Sequence, residues 1–275
     1  MDILINGHQT HIYTSSVPFT PENPAVVLLH GAGHDHSVWR YQSRYLAHHG
    51  YSVLAPDLPG HGRSKGPALN QIDSMAAWLI AMLDHCNIPQ ASLIGHSMGA
   101  LVSLVAAARY TGRINRLILI GAAVPMPVAP FLLEAAATEC GRAYRMINHW
   151  SYSFKNQIGR SATPGMWMTG LNLRLMERQR PDVLLADLQA CNTWTDSRDE
   201  IKSIRCATLL ICGQNDQMTP PFQANALRAH LNNVPGGARI ITLPDTGHAM
   251  MAEAPQAITS AVYNFLPRHT PRQHL

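Results

Sequence analysis

The sequence predicts an α/β protein built on a mostly parallel sheet flanked by helices, with one long helical insertion. Three observations carry this. Short apolar runs recur along the chain, and most precede a segment of helical periodicity, which is the alternation of strand and helix that a parallel sheet requires. That rhythm stops between about residues 124 and 199 and then resumes. A tight Gly95-His96-Ser97-Met98-Gly99 turn joins one apolar run to an apolar helical stretch.

Composition bounds the answer before any motif does. The chain has 275 residues, 46% of them apolar and 14% charged, which excludes a coiled coil or a disordered solvating chain and suits one large domain or a domain with a sizeable insertion. Lys and Arg exceed Asp and Glu by 21 − 17 = 4, without a run of like charge, so neither a nucleic-acid tail nor a polybasic membrane anchor is indicated. Apolar stretches such as residues 25–29 and 117–124 fall far short of the roughly 20 residues that span a bilayer. The first residues lack the basic and apolar regions of a secretory signal, and the expectation is a cytoplasmic protein. Five cysteines, an odd number with no C-x-x-C, read as reduced thiols without a structural bridge.

Each element has a local cause. Alternating Ile3, Ile5 and Ile12 around Asn6-Gly7 predict an N-terminal antiparallel hairpin, because that pair tolerates the positive φ of a tight turn. Residues 25–29 are apolar throughout and end at His30-Gly31, the pattern of a strand buried on both faces. Similar runs occupy residues 51–55, 91–94, 116–120, 208–212 and 239–243. Asp73 or Ser74 is the expected cap of a helix through Trp78, Leu79, Met82 and Leu83. Residues 98–110 are apolar on nearly every face and predict a helix packed directly on the sheet. Thr219 precedes Pro220-Pro221, and Pro255 opens a last helix through Ile258 and Val262. Residues 268–275 read as a frayed tail.

Within the insertion, helical patterns occupy residues 131–146, 171–179 and 181–191. Met126, Met146, Met166, Met168 and Met176 with Trp150, Trp167 and Trp194 either line an apolar pocket or hold the insertion's own small core. The division expected is a core of residues 1–123 and 200–275 and a helical cap of residues 124–199.

The chemistry concentrates at strand ends. A serine on a tight strand-to-helix turn is held in a strained backbone, and the residues two positions either side must lack bulk, hence Gly95 and Gly99. Ser97 is therefore the candidate nucleophile. It needs a base near neutrality and a carboxylate to hold that base's tautomer. His248 follows the run at 239–243, and Asp216 follows the run at 208–212. Parallel strands deliver their carboxyl ends to one edge, so Ser97, Asp216 and His248 can meet there. Asp245 and Asp57 are the rival acids; the first suits a local turn and the second the loop Leu58-Pro59-Gly60. Backbone N–H groups of Ala32, in His30-Gly31-Ala32-Gly33, and of Met98 are the expected oxyanion donors, with Gly33 the alternative to Ala32. His34-Asp35-His36 lacks the partners of a binuclear metal motif, and no phosphate-binding loop is present.

Together, His30-Gly31-Ala32-Gly33, Asp57-Leu58-Pro59-Gly60-His61-Gly62-Arg63-Ser64, Gly95-His96-Ser97-Met98-Gly99, Gly213-Gln214-Asn215-Asp216 and Gly247-His248 resemble the α/β-hydrolase family over about residues 1–123 and 200–266. The resemblance implies an eight-stranded sheet, a helical cap after the sixth strand, a serine triad, no cofactor, and hydrolysis of esters or related bonds. Ser97 disfavours the branch of that family with an Asp nucleophile. The expected activity is hydrolysis of a small, largely apolar carboxylic ester through an acyl-enzyme. Alternatives are cleavage of a C–C bond, a lactone or an amide, cofactor-free perhydrolysis, or a ligand sensor with slow hydrolysis.

Overall fold

A computed structural model of the chain describes residues 1–159, 165–195 and 198–267, and the side chains of 198 and 199 are not among them. The expected tail lies outside the described residues. The N-terminal hairpin forms as β1 (Asp2–Ile5) and β2 (His8–Tyr13), turning at Asn6 and Gly7 with φ of 50° and 80°. β3 (Ala25–Leu29), α1 (Arg40–Ala47), β4 (Ser52–Pro56), α2 (Ile72–His85), β5 (Ala91–His96), α3 (Met98–Arg109) and β6 (Ile114–Ile120) follow in strict alternation.

Between β6 and the next strand the described residues form six helices: α4 (Pro130–Thr138), α5 (Cys140–Ser151), α6 (Phe154–Gln157), α7 (Met168–Glu177), α8 (Pro181–Thr193) and α9 (Arg198–Ile201). β7 (Ala207–Gly213), α10 (Pro221–Arg228), β8 (Arg239–Leu243), α11 (Met250–Glu253) and α12 (Pro255–Phe265) complete the chain.

The strands make one eight-stranded sheet in the order β1-β2-β4-β3-β5-β6-β7-β8. β3 to β8 are parallel, and β2 joins the sheet antiparallel to β4. Residue alternation splits the core into two layers. Val27, Leu29, Leu93, Leu117 and Leu210 pack under α2 and α3, whereas Val26, Leu28, Ile94, Ile118 and Ile211 pack under α1 and α12. A third cluster, including Leu132, Ala136, Ile147, Met176 and Leu184, lies wholly within the helical segment between β6 and β7.

Two local expectations are corrected. α2 begins one residue before Asp73, with Gln71 at the cap position and no side-chain capping bond. Burial of Ile72 sets the start, and Asp73 instead pairs with Arg109 of α3 at 3.0 Å. The pattern over residues 131–146 is two helices, not one, because Glu139 leaves helical geometry at φ −146° and ψ 71° and lets α4 and α5 fold face to face. α10 opens at Pro221 after Pro220 as the paired prolines suggest, without a side-chain cap, and the Thr219 hydroxyl is bonded elsewhere. No helix among the described residues is long and apolar enough to cross a membrane. The five cysteines are free thiols.

Candidate active site

Ser97 sits where β5 hands over to α3, at φ 53° and ψ −117°. A non-glycine residue there carries strain of order 1–3 kcal/mol, and the surroundings impose it. The Ser97 N–H donates to Ile120 O at 2.9 Å, while its own carbonyl accepts from Ala100 N at 2.9 Å. A Cβ at Gly95 would overlap the Gly99 carbonyl, and one at Gly99 would overlap the Leu29 carbonyl. The missing side chains thus let β3, β5 and α3 cross closely enough to leave Ser97 half-exposed amid buried neighbours.

Asp216 and His248 emerge from the carboxyl ends of β7 and β8, as the parallel register requires. The His248 Nδ1 donates to Asp216 Oδ2 at 2.8 Å, both groups being buried. The carboxylate also accepts from the N–H groups of Met218 (2.9 Å) and Thr219 (2.8 Å) and from the Thr219 hydroxyl (2.8 Å). Burial alone would raise the Asp216 pKa, but the adjacent His248 and these donors outweigh it and hold the carboxyl below the usual range. The His248 Nε2 is buried and has no partner among the described residues, so the Ser97 hydroxyl is not bonded to it. Both side chains nevertheless line the same cavity.

The rival acids are engaged elsewhere. Asp57 is buried in its own loop, where it accepts from the N–H groups of His36 (2.8 Å) and Arg63 (2.9 Å) and from His36 Nδ1 (2.7 Å). Asp245 is exposed and pairs with Lys155 at 2.7 Å.

The loop after β3 is held from several sides. The Gly33 N–H donates to Asp187 Oδ2 of α8 at 2.8 Å, whereas the N–H groups of Ala32 and Met98 have no protein acceptor among the described residues. His30 Nδ1 donates to Gly31 O at 2.9 Å, which orients the peptide that carries the Ala32 N–H. His34 Nδ1 donates to Ala32 O at 2.7 Å, and a chain through Asn172 and Asn148 then runs to the Thr169 carbonyl in the helical segment.

Several of these contributors escape a reading of the sequence. Thr219 bonds the Asp216 carboxylate, and its hydroxyl also lies 3.2 Å from His248 Nδ1. His96, inside the serine motif, contacts the His248 carbonyl through Nε2 at 3.0 Å, and burial drives its pKa well down, so it serves as a neutral donor. Asp187 and His61 form a buried pair at 2.8 Å. His30, His61 and His96 stand in the motifs that carry the family resemblance, but nothing local in the sequence names their partners among fifteen histidines and seventeen acids.

The cavity has a volume of about 760 Å³ and a mainly apolar wall that includes Val128, Leu132, Ile147 and Trp150. The methionine and tryptophan group divides between the two expected roles. Met126, Met168 and Trp150 line the cavity, Met176 is buried inside the helical segment, Trp194 packs on the main core, and Trp167 is 75% exposed. Among the described residues one group has metal-ligand proximity, with ligand atoms of His11, His36 and Asp57 within 4.8 Å of one another. It suits a cation poorly. Asp57 already accepts three hydrogen bonds, and the Arg63 guanidinium lies 3.4 Å from His11 Nε2.

Known proteins extend these observations. The alpha/beta hydrolase family profile matches residues 26–261. The dihydrolipoyllysine-residue acetyltransferase component of the acetoin cleaving system of Pseudomonas putida is 28% identical over 89% of this chain, which spans 64% of that protein's length. A pimeloyl-[acyl-carrier protein] methyl ester esterase of Aromatoleum aromaticum is 30% identical, over 85% of this chain and 94% of its own. The crystal structure of the enol-lactonase of Burkholderia xenovorans superposes with a TM-score of 0.84 at 24% identity, covering 96% of this chain and 99% of that one. With the sheet order, the strained serine turn and the profile match in agreement, the chain belongs to the alpha/beta hydrolase family.

Proposed function

We propose that the protein is a serine hydrolase that cleaves a small carboxylic ester through an acyl-enzyme, with residues 124–199 acting as a cap over the site. The observation that carries this reading is the buried Asp216–His248 pair, whose free Nε2 lines the same cavity as the strained Ser97. Rotation of the Ser97 hydroxyl toward Nε2 closes the triad when substrate binds, since catalytic hydrogen bonds are often loose in the empty site. Ser97 Oγ attacks the ester carbonyl while His248 takes its proton. Negative charge gathers on the carbonyl oxygen, where the N–H groups of Ala32 and Met98 donate to it. The C–O bond then breaks as His248 returns the proton to the departing alcohol. Water, deprotonated by His248, attacks the acyl-enzyme; Ser97 leaves with the proton and the acid is released. Asp216 holds the imidazole's tautomer and stabilises its charged form.

The relationship to the Aromatoleum aromaticum esterase supports ester hydrolysis, and the apolar cavity wall supports a largely apolar substrate body. A fluorophosphonate probe combined with turnover of 4-nitrophenyl acetate tests the reading. Labelling at Ser97 with repeated turnovers is the expected result. Labelling without repeated turnovers would favour a ligand sensor, and absence of labelling would remove Ser97 as nucleophile.

A further inference from the structure

The cavity's charge is one-sided. Among its described lining residues there is no Asp or Glu, whereas Arg40, Arg174 and Arg178 all contribute to the wall. Two of the three are already neutralised. Arg174 pairs with Glu177 at 2.7 Å, and Arg178 pairs with Asp35 at 2.6 Å and donates to the Ser37 hydroxyl at 3.3 Å.

Arg40 differs. Its guanidinium carbon stands 4.8 Å from the centre of the Tyr41 ring, and one nitrogen lies 2.9 Å from the Met166 thioether sulfur. A thioether is a weak acceptor, and a guanidinium carries five donors. Among the described residues no carboxylate or other oxygen accepts from Arg40. Such a planar fork in a mainly apolar cavity matches a carboxylate in two-point geometry. Its charge also reaches the interior: burial and Glu253 push the Tyr152 hydroxyl up, Arg40 opposes them, and Tyr152 lines the same wall.

Position supports the same conclusion. Arg40 opens α1, eight residues beyond Ala32 on the one connection that leaves β3, with the fully buried Trp39 anchoring the segment between them. A ligand held by both groups would have its scissile carbonyl and its remote charge fixed by a single stretch of backbone.

We propose that Arg40 is a specificity-determining residue that binds a free carboxylate of the substrate, so that the preferred substrates are small esters carrying a second, ionised carboxyl group remote from the scissile bond. The inference rests on the serine-hydrolase reading above and narrows its substrate class.

The test uses the full chain and two matched ester series. One comprises 4-nitrophenyl monoesters of C4 to C8 dicarboxylic acids against the corresponding methyl 4-nitrophenyl diesters. The other comprises acetates of ω-hydroxy acids against the methyl esters of those acetates. In at least one series, kcat/KM for the charged member should exceed that of its neutral partner by about tenfold at the best chain length. Arg40→Met should bring that ratio close to one, mainly through KM, and Arg40→Lys should restore part of it. Free dicarboxylates should inhibit the unsubstituted protein competitively, more strongly than the matching diamides and less so as salt is raised; this arm stands even if Arg40→Met fails to fold. Neutral esters turned over with no preference for charged ones in either series would overturn the inference while leaving the nucleophile assignment intact. So would a preference that survives Arg40→Met. Loss of all turnover and of Ser97 labelling would instead sink the underlying hydrolase reading, and this inference with it.

Discussion

At the scale of single residues, the proposed chemistry depends on two strained or isolated atoms, the Ser97 Oγ and the His248 Nε2. Ser97→Ala should abolish turnover of an aryl acetate, by about 10³-fold or more, while circular dichroism and the melting temperature stay close to those of the parent. Retained turnover would exclude Ser97. Asp216→Asn should lower kcat by about 10² to 10⁴-fold, because the amide no longer selects the working imidazole tautomer.

At the scale of elements, Asp187 ties α8 to two loops on the sheet edge. Its Oδ2 accepts from the Gly33 N–H and from His61 Nε2, both at 2.8 Å. Burial alone would lower the His61 pKa, but the Asp187 charge and hydrogen bond overcome this and raise it above the ordinary imidazole value. A raised folded-state pKa means that the pair's contribution is complete below the unfolded value and fades as pH climbs through the folded one. Asp187→Asn leaves an uncompensated imidazole in the interior and should cost about 3 kcal/mol at pH 6. Urea midpoints should show that deficit shrinking by pH 9, and an equal deficit at both pH values would show that packing, not charge, accounts for it. The same substitution loosens the backbone next to Ala32, so kcat should fall further than the stability change alone explains.

At the scale of the whole molecule, acid should be the weak flank. His30 is fully buried, and desolvation, reinforced by His61, lowers its pKa to about 4. The folded state therefore binds fewer protons than the unfolded chain between that value and the ordinary imidazole pKa, and stability drops as pH falls through the window. Going from pH 7 to 5 removes about 2 kcal/mol on account of His30 alone, taking an unfolded pKa near 6.5. His34 and His96 are also lowered by burial and act in the same direction. Chemical denaturation at the two pH values measures the total, and His30→Asn should reduce the difference by His30's share.

The parallel strands, the N-terminal hairpin and the serine turn were legible in the sequence because each is specified by contiguous residues. Unbroken apolar runs signal burial on both faces, Asn6-Gly7 signals a positive-φ turn, and Gly95 and Gly99 flank a crossing too tight for a Cβ. Ser97, Asp216 and His248 could be nominated for a related reason: strand ends of a parallel sheet share one edge. What tertiary structure alone decided are contacts whose partners lie far apart along the chain. Thr219 turns away from its helix to Asp216, Asp187 reaches the Gly33 N–H across 154 residues, and Arg40 is left without an acid among the described residues in a cavity whose other arginines have one. Periodicity and turn chemistry report what a segment does to itself; which buried polar group finds a partner depends on the packing of segments that the local pattern does not relate.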